Sequence, residues 1–207
     1  MSIVSDEVKP IGGYHLPGLL AAIVERYELT KFPSLEEAKA GGAKFQNGRF
    51  AARKINIAEL SIFNDALNVT TTDTSDSEIV LSDLFKWLKE RFGFREPTTK
   101  PVRMFQSDLI VEFENDTSRA LSLFSPLIEF VQKETESING LKKPVQFSRL
   151  DFGGDPKILG PHTTFLIERR AGIPWESNRY FCKANMSTNA HIKALELLDK
   201  LLGKAKR

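Results

Sequence analysis

Cysteine is almost absent from these 207 residues: Cys182 is the only one. No intramolecular disulfide and no multi-cysteine zinc site can form, which fits a reducing compartment and gives the expectation of a cytoplasmic protein. Long apolar runs are missing too. The longest near the start, Leu19-Leu20-Ala21-Ala22-Ile23-Val24, falls well short of the roughly 20 residues that cross a bilayer, and no basic segment followed by an apolar one opens the chain. Neither a membrane nor export is expected. Charge of one sign is not in excess: 29 Lys plus Arg face 27 Asp plus Glu, a net charge of +2, far from the basic field that non-specific phosphate binding draws on. Nucleic acid is not implied as a partner.

Motifs that would name a reaction are equally scarce. No Ser sits in a Gly-x-Ser-x-Gly turn, and no phosphate-binding or dinucleotide glycine pattern occurs, which argues against a serine hydrolase, a P-loop NTPase and a Rossmann dehydrogenase. The three histidines, His15, His162 and His191, lie far apart, and none belongs to a two-histidine metal motif. No cofactor is implied, and no catalytic residue can be named. What the chain does have is 41% hydrophobic residues, enough for a packed core that buries roughly 70% of the unfolded surface. We expect one domain over 1–207, with a helical N-terminal segment (1–48) and a hairpin-and-helix core (49–207).

Periodicity fills in that outline. Leu19, Leu20, Ile23, Val24 and Tyr27 recur at helical spacing behind Pro17, which suits a first helical turn. Ser34 with Glu36 and Glu37 opens a second, brief helix that Gly41-Gly42 ends, and a glycine-containing connection runs to about Gly48. From Ile55 the period becomes two, with a phase slip between Ile57 and Leu60 that suggests a bulge, and a turn at Asn64-Asp65 leads to Leu67, Val69 and Thr71. Thr70 to Ser77 reads as a loop, Ser82 as the cap of a helix carrying Leu84, Phe85, Leu88 and Phe92, and Gly93 as its left-handed stop.

After a linker from Pro97 to Pro101, Phe105 to Phe113 alternates as a strand. A helical pattern follows through Leu121, Phe124, Leu127, Ile128 and Val131, in which Pro126 either kinks one helix or opens a second capped by Ser125. Asn139-Gly140 closes it. Val145 to Phe152 reads as a strand, Phe165-Ile167 and Arg179-Ala184 as a second hairpin, and Ser187 or Thr188 as the start of a last helix with Ala194, Leu195, Leu198, Leu201 and Leu202 on one stripe. His191 falls on that stripe, where a buried imidazole is ordinary, and Cys182 falls in a strand as a small hydrophobe. Hairpins between helices give an α+β class, with a mostly antiparallel sheet of about six strands and about four helices largely on one face. Leu67-Val69 and Leu109-Val111 are each followed by a helix, as is the last hairpin, which suggests a degenerate strand-plus-helix repeat.

Two constellations could carry function. Arg169, Arg170, Trp175, Arg179 and Tyr180 cluster on the last hairpin. Arginine with aromatics is enriched in the anchors of protein interfaces, although Trp175 at a hairpin tip can instead fold back on its own strands. The first reading is therefore a non-catalytic binding or assembly protein acting on a protein partner or on itself. The second constellation is Asp151-Phe152-Gly153-Gly154-Asp155, followed by His162 and Glu168. These oxygen and nitrogen donors could hold a hard cation for a metal-dependent phosphoester hydrolase or nuclease, or the aspartates could simply satisfy amides of a tight turn. A third reading is an accessory nucleic-acid module that uses Arg169, Arg170, Arg179 and the lysines of the last segment.

Overall fold

A computed structural model of the chain describes residues 2–3, 8–10, 12–40, 42–63, 66–97, 101–117, 124–140, 145, 148–155, 157 and 164–204. The fold is α+β, and the chain divides into two compact units, Met1–Phe105 and Gln106–Arg207. The single sheet expected from the strand count is two antiparallel sheets. Among the described residues, strands before Phe105 pair only with one another, and so do those after it.

The first unit runs β1 (Ser2–Ile3), α1 (Leu16–Arg26), α2 (Leu35–Ala40), β2 (Ala43–Phe50), β3 (Ile55–Ile62), β4 (Ala66–Thr71), α3 (Thr74–Phe92) and β5 (Val102–Arg103), with sheet order β2-β3-β4-β1-β5. Pro17 lies in the first turn of α1, and the His15 imidazole caps that helix by accepting from the Gly18 amide at 3.2 Å. Spacing of four places Leu19, Ile23 and Tyr27 on one buried face. Ser34 and Glu37 cap α2 reciprocally: the Ser34 amide donates to the Glu37 carboxylate at 2.8 Å and the Glu37 amide to the Ser34 hydroxyl at 3.3 Å. The bulge lies between Ile57 and Glu59 of β3, as the phase slip predicts.

Two expectations fail here for identifiable reasons. The connection read up to Gly48 is the strand β2. Its alternation is interrupted at Asn47, whose φ of 55° shifts the buried set from Ala43 and Phe45 to Phe50, so the period of two is not visible in the residues. Gly48 is required there, since a β-carbon would lie 2.6 Å from the Tyr27 carbonyl oxygen. The residue-48 subdivision of the sequence thus falls inside a strand. Nor is Thr74 to Ser77 a loop: α3 starts at Thr74, with the Asp73 carboxylate accepting from the Ser75 amide at 2.7 Å. Ser, Thr and Asp favour caps and turns over helix interiors, yet burial of Val80 and Leu81 on the same helix outweighs that preference. Gly93 ends α3 at φ 68°, as expected.

The second unit runs β6 (Ser107–Glu112), α4 (Ser125–Asn139), β7 (Arg149–Gly153), β8 (Thr164–Arg169), β9 (Arg179–Ala184) and α5 (Thr188–Lys204), with order β6-β9-β8-β7. Pro126 opens α4, and the residue at the cap position is Phe124 rather than Ser125. Gly140 closes that helix at φ 64°. The core gathers Ile167, Tyr180 and Cys182 of the sheet against Leu195 of α5, with Phe113 at the end of β6.

The two units share one plan. In each, a first strand precedes a helix, a helix follows a three-strand meander, and the first strand pairs antiparallel with the last strand of the meander, while the first unit adds α2 before its meander and β5 after its last helix. In this shared order β4-α3 stands where β9-α5 does, whereas β6, with Leu109-Val111, stands where β1 does, so the expected match of Leu67-Val69 with Leu109-Val111 does not hold. Among the described residues no helix is long and apolar enough to cross a membrane.

Candidate functional site

Among the residues singled out on the last hairpin, Arg169 and Tyr180 share one face of the sheet and Arg179 takes the other. Strand pleat sends alternate side chains to opposite faces, and the register β6-β9-β8-β7 aligns Val111, Tyr180 and Arg169 on the face that meets α5. Tyr180 is buried, its hydroxyl hydrogen-bonds the Thr117 hydroxyl, and Arg169 donates from Nη1 to the Tyr180 oxygen at 3.0 Å and from Nη2 to the Pro174 carbonyl at 3.1 Å. The Arg169 guanidinium lies 5.3 Å from the Tyr180 ring centroid. Asn178, at φ 48°, donates from its amide to the Phe113 and Asn115 carbonyls at 2.7 and 2.8 Å. Asn115 in turn bonds Asp199 of α5 through its backbone and side-chain nitrogens at 3.0 and 3.1 Å. This polar cluster ties the end of the sheet to the last helix through bonds among its own members.

Arg179 points to the other face, where it pairs with Glu112 at 3.2 Å, and Arg170 is exposed beyond β8. Trp175 opens a short 3-10 turn, Trp175–Ser177; its side chain lies outside the described residues.

Of the acidic constellation, Asp151 and Glu168 share a face of β7 and β8 on either side of Arg149, and Asp155 lies beyond the end of β7. Asp151 pairs with Arg149 at 2.6 Å, and this keeps the Arg149 guanidinium above its ordinary pKa, while Glu168 stands opposite Arg149 in the register of β7 and β8. The Asp155 carboxylate accepts from the Lys157 amide at 2.9 Å, an amide-satisfying turn. His162 lies outside the described residues. Among the described residues no three His, Cys, Asp or Glu side chains are placed to hold one metal ion. Burial pushes the Cys182 thiol up to about 12, which leaves it a protonated hydrophobe. His191 is fully buried beside Ser107 and Asp108 of β6. Its pKa is lowered by desolvation, opposed by the Asp108 carboxylate.

Sequence reading did not single out two features. One is an ion pair in the first unit. Arg26 donates to Asp83 at 2.9 and 2.7 Å from Nε and Nη2, the Tyr27 hydroxyl donates to the same carboxylate at 2.7 Å, and the guanidinium stacks 5.1 Å from the Trp87 ring centroid. These partners are separated by 57 residues, so no local signal marks them. The other is the outer face of α4, where Leu127, Phe130, Val131 and Ile138 are 58%, 61%, 41% and 79% exposed. At about 100° per residue they fall within one sector, with Glu134 near its centre, and the half-buried positions Ile128, Gln132, Thr135 and Glu136 lie to one side. The periodicity of this helix was legible, but the direction of its apolar side was not. Compared with known proteins, the chain matches no family model, no curated sequence and no solved structure.

Proposed function

We propose that this chain is a non-catalytic binding protein that acts through protein-protein contact, and that α4 is its docking element. The observation that carries the reading is the exposed stripe of Leu127, Phe130, Val131 and Ile138 on a helix whose described side chains are all partly or fully exposed. Apolar side chains gathered on one outward face cost solvation free energy unless a partner covers them. Their spacing suits insertion of a helix into a groove, with anchors at i, i+3, i+4 and i+11. The helix carries Glu129, Glu134 and Glu136 against Lys133, three carboxylates to one ammonium, with Glu134 inside the stripe. The partner that fits is a protein offering an apolar groove with a basic rim.

A photo-reactive residue at position 130 tests this. The cross-linked protein, once purified, should bind the chain with an affinity that falls at least about tenfold in Leu127→Asp, and by a smaller, salt-dependent factor in Glu134→Gln. Equal cross-linking from position 133 on the polar side, unchanged affinity in Leu127→Asp, or cross-links only to a second copy of the chain would each overturn the reading.

A further inference from the structure

The last helix, α5, has an exposed apolar seam beside its buried face. Ala190, Ala194, Leu197 and Leu201 follow one another at steps of four, three and four residues, which at about 100° per residue keeps them within one sector of roughly 60°. This is the spacing of the contact seam in a two-stranded coiled coil. Leu197 and Leu201 are 58% and 54% exposed, whereas His191, Leu195 and Leu202, on the core side of the same helix, are buried. The first unit shows what this side of a helix receives. There α3, which stands where α5 does, carries α1 beside it: the Asp83 carboxylate accepts from Arg26 and Tyr27, and the Arg26 guanidinium lies on the Trp87 ring. Asp83 and Trp87 lie on the order of 100° from the middle of the buried face of α3, and the seam of α5 lies on the order of 100° from its own, turned the same way about the helix axis. On α3 that side is occupied by a helix; on α5 two leucines meet solvent.

The charges along the seam have one sign. Lys193, Lys200 and Lys204, all exposed, form its flank on the side away from the sheet, and Glu196 stands farther round the helix. Among the described residues no carboxylate pairs with these lysines; Asp199, on the same helix, is engaged by Asn115. The positions of the second unit that lie outside the described residues hold no Asp or Glu. Charged residues beside such a seam choose the partner by sign, and the short side chains of Ala190 and Ala194 leave room for it to come close. From Ala190 to Leu201 the seam runs about 17 Å, three helical turns. We propose that it is a second docking surface, separate from α4, for an amphipathic helix of a partner protein that presents an apolar stripe with an acidic flank.

Two synthetic helical peptides are the probes, with the same leucine and alanine stripe but glutamates on both flanks in one and lysines in the other, followed by the methyl resonances of Leu197 and Leu201 in the full chain. Saturable shifts of these methyls are expected with the acidic peptide, and binding of the basic one should be on the order of tenfold weaker. Leu197→Asp, at an exposed position, should abolish the shifts of Leu201 while the far-ultraviolet circular dichroism stays unchanged. Lys193→Glu combined with Lys200→Glu should reverse the order of the two peptides. Leu127→Asp on α4 should leave both affinities alone, so a failure here is distinct from a failure of the α4 reading. Absence of saturable shifts, equal binding of both peptides, or an order that survives the charge reversal would overturn the proposal. So would an intrachain disulfide in the free Phe130→Cys, Leu197→Cys variant, Cys182 being buried, which assigns the seam to the chain's own α4, or a dimer that Leu197→Asp dissolves, which assigns it to a second copy.

Discussion

In the first unit, the first helix, α1, buries Leu19 and Ile23 within its length and Tyr27 at its cap; in the second, the first described helix, α4, leaves Leu127, Phe130, Val131 and Ile138 in contact with solvent. Both helices start with a proline in the first turn, both are amphipathic, and both follow the strand that pairs with the last strand of their unit's meander. The difference is in what receives them. Among the described residues the first core joins sixteen buried side chains from two long helices and three strands, whereas the second joins five, from the sheet, α5 and Phe113. An amphipathic pattern therefore specifies a helix but not the surface that will cover its apolar side.

Truncation of equivalent positions should show the largest effect. Ile23→Ala removes a fully buried side chain and should cost about 2–5 kcal/mol in urea unfolding, while Leu127→Ala should stay within about 0.5 kcal/mol. Similar losses at both positions would break the comparison. Next comes the polar tie of the first unit. Asp83→Ala strands the Arg26 guanidinium and the Tyr27 hydroxyl in a partly buried setting and should cost about 1–3 kcal/mol, with Tyr27→Phe costing about 1 kcal/mol, both read from the shift of the urea midpoint. Tyr27 stays protonated throughout the ordinary pH range, since burial and then the neighbouring Asp83 carboxylate raise its pKa.

Acid should separate the units further. His191 has a folded-state pKa below its ordinary 6.5, so the unfolded chain takes up the proton first and stability falls as pH drops below about 6.5, by at most about 1.4 kcal/mol per pH unit, and is flat above it. Unfolding of the second unit, followed by urea titration at pH 7 and pH 5, should show this loss, and His191→Leu should remove it. A pH dependence that survives the substitution would assign the effect elsewhere. The smallest change is expected from Glu112→Gln. Its pair with Arg179 is exposed on both sides, unlike Arg26 and Asp83, so the urea midpoint should move by less than the equivalent of about 0.5 kcal/mol and move less still in high salt.

Much of this architecture could be read from residue spacing. The stripe of α1, the bulged hairpin of β3 and β4, the Gly93 and Gly140 stops, and the placing of His191 and Cys182 in a core all follow from local pattern, because a single face or a single φ decides them. What escaped notice depended on distant partners. β2 is held by its register with β3 despite a broken alternation, and the early turns of α3 by Val80 and Leu81 despite cap-forming residues. The candidate site was less legible still. Arg169, Tyr180 and Arg179 lie on one hairpin, but the pleat divides them between a buried cluster and an outward face, and only the register reveals which goes where.

The ion pair between Arg149 and Asp151 has one more consequence. Among the described residues β7 ends the order of the second sheet, and a strand with an open side offers unpaired amides and carbonyls to any other extended chain. Charges of both signs alternate on that strand with Leu150 and exposed Phe152, so a second chain adding itself in register must desolvate an arginine and an aspartate for each pair of apolar contacts it gains. The Arg149–Asp151 pair thus raises the free-energy cost of adding a strand at this border of the sheet.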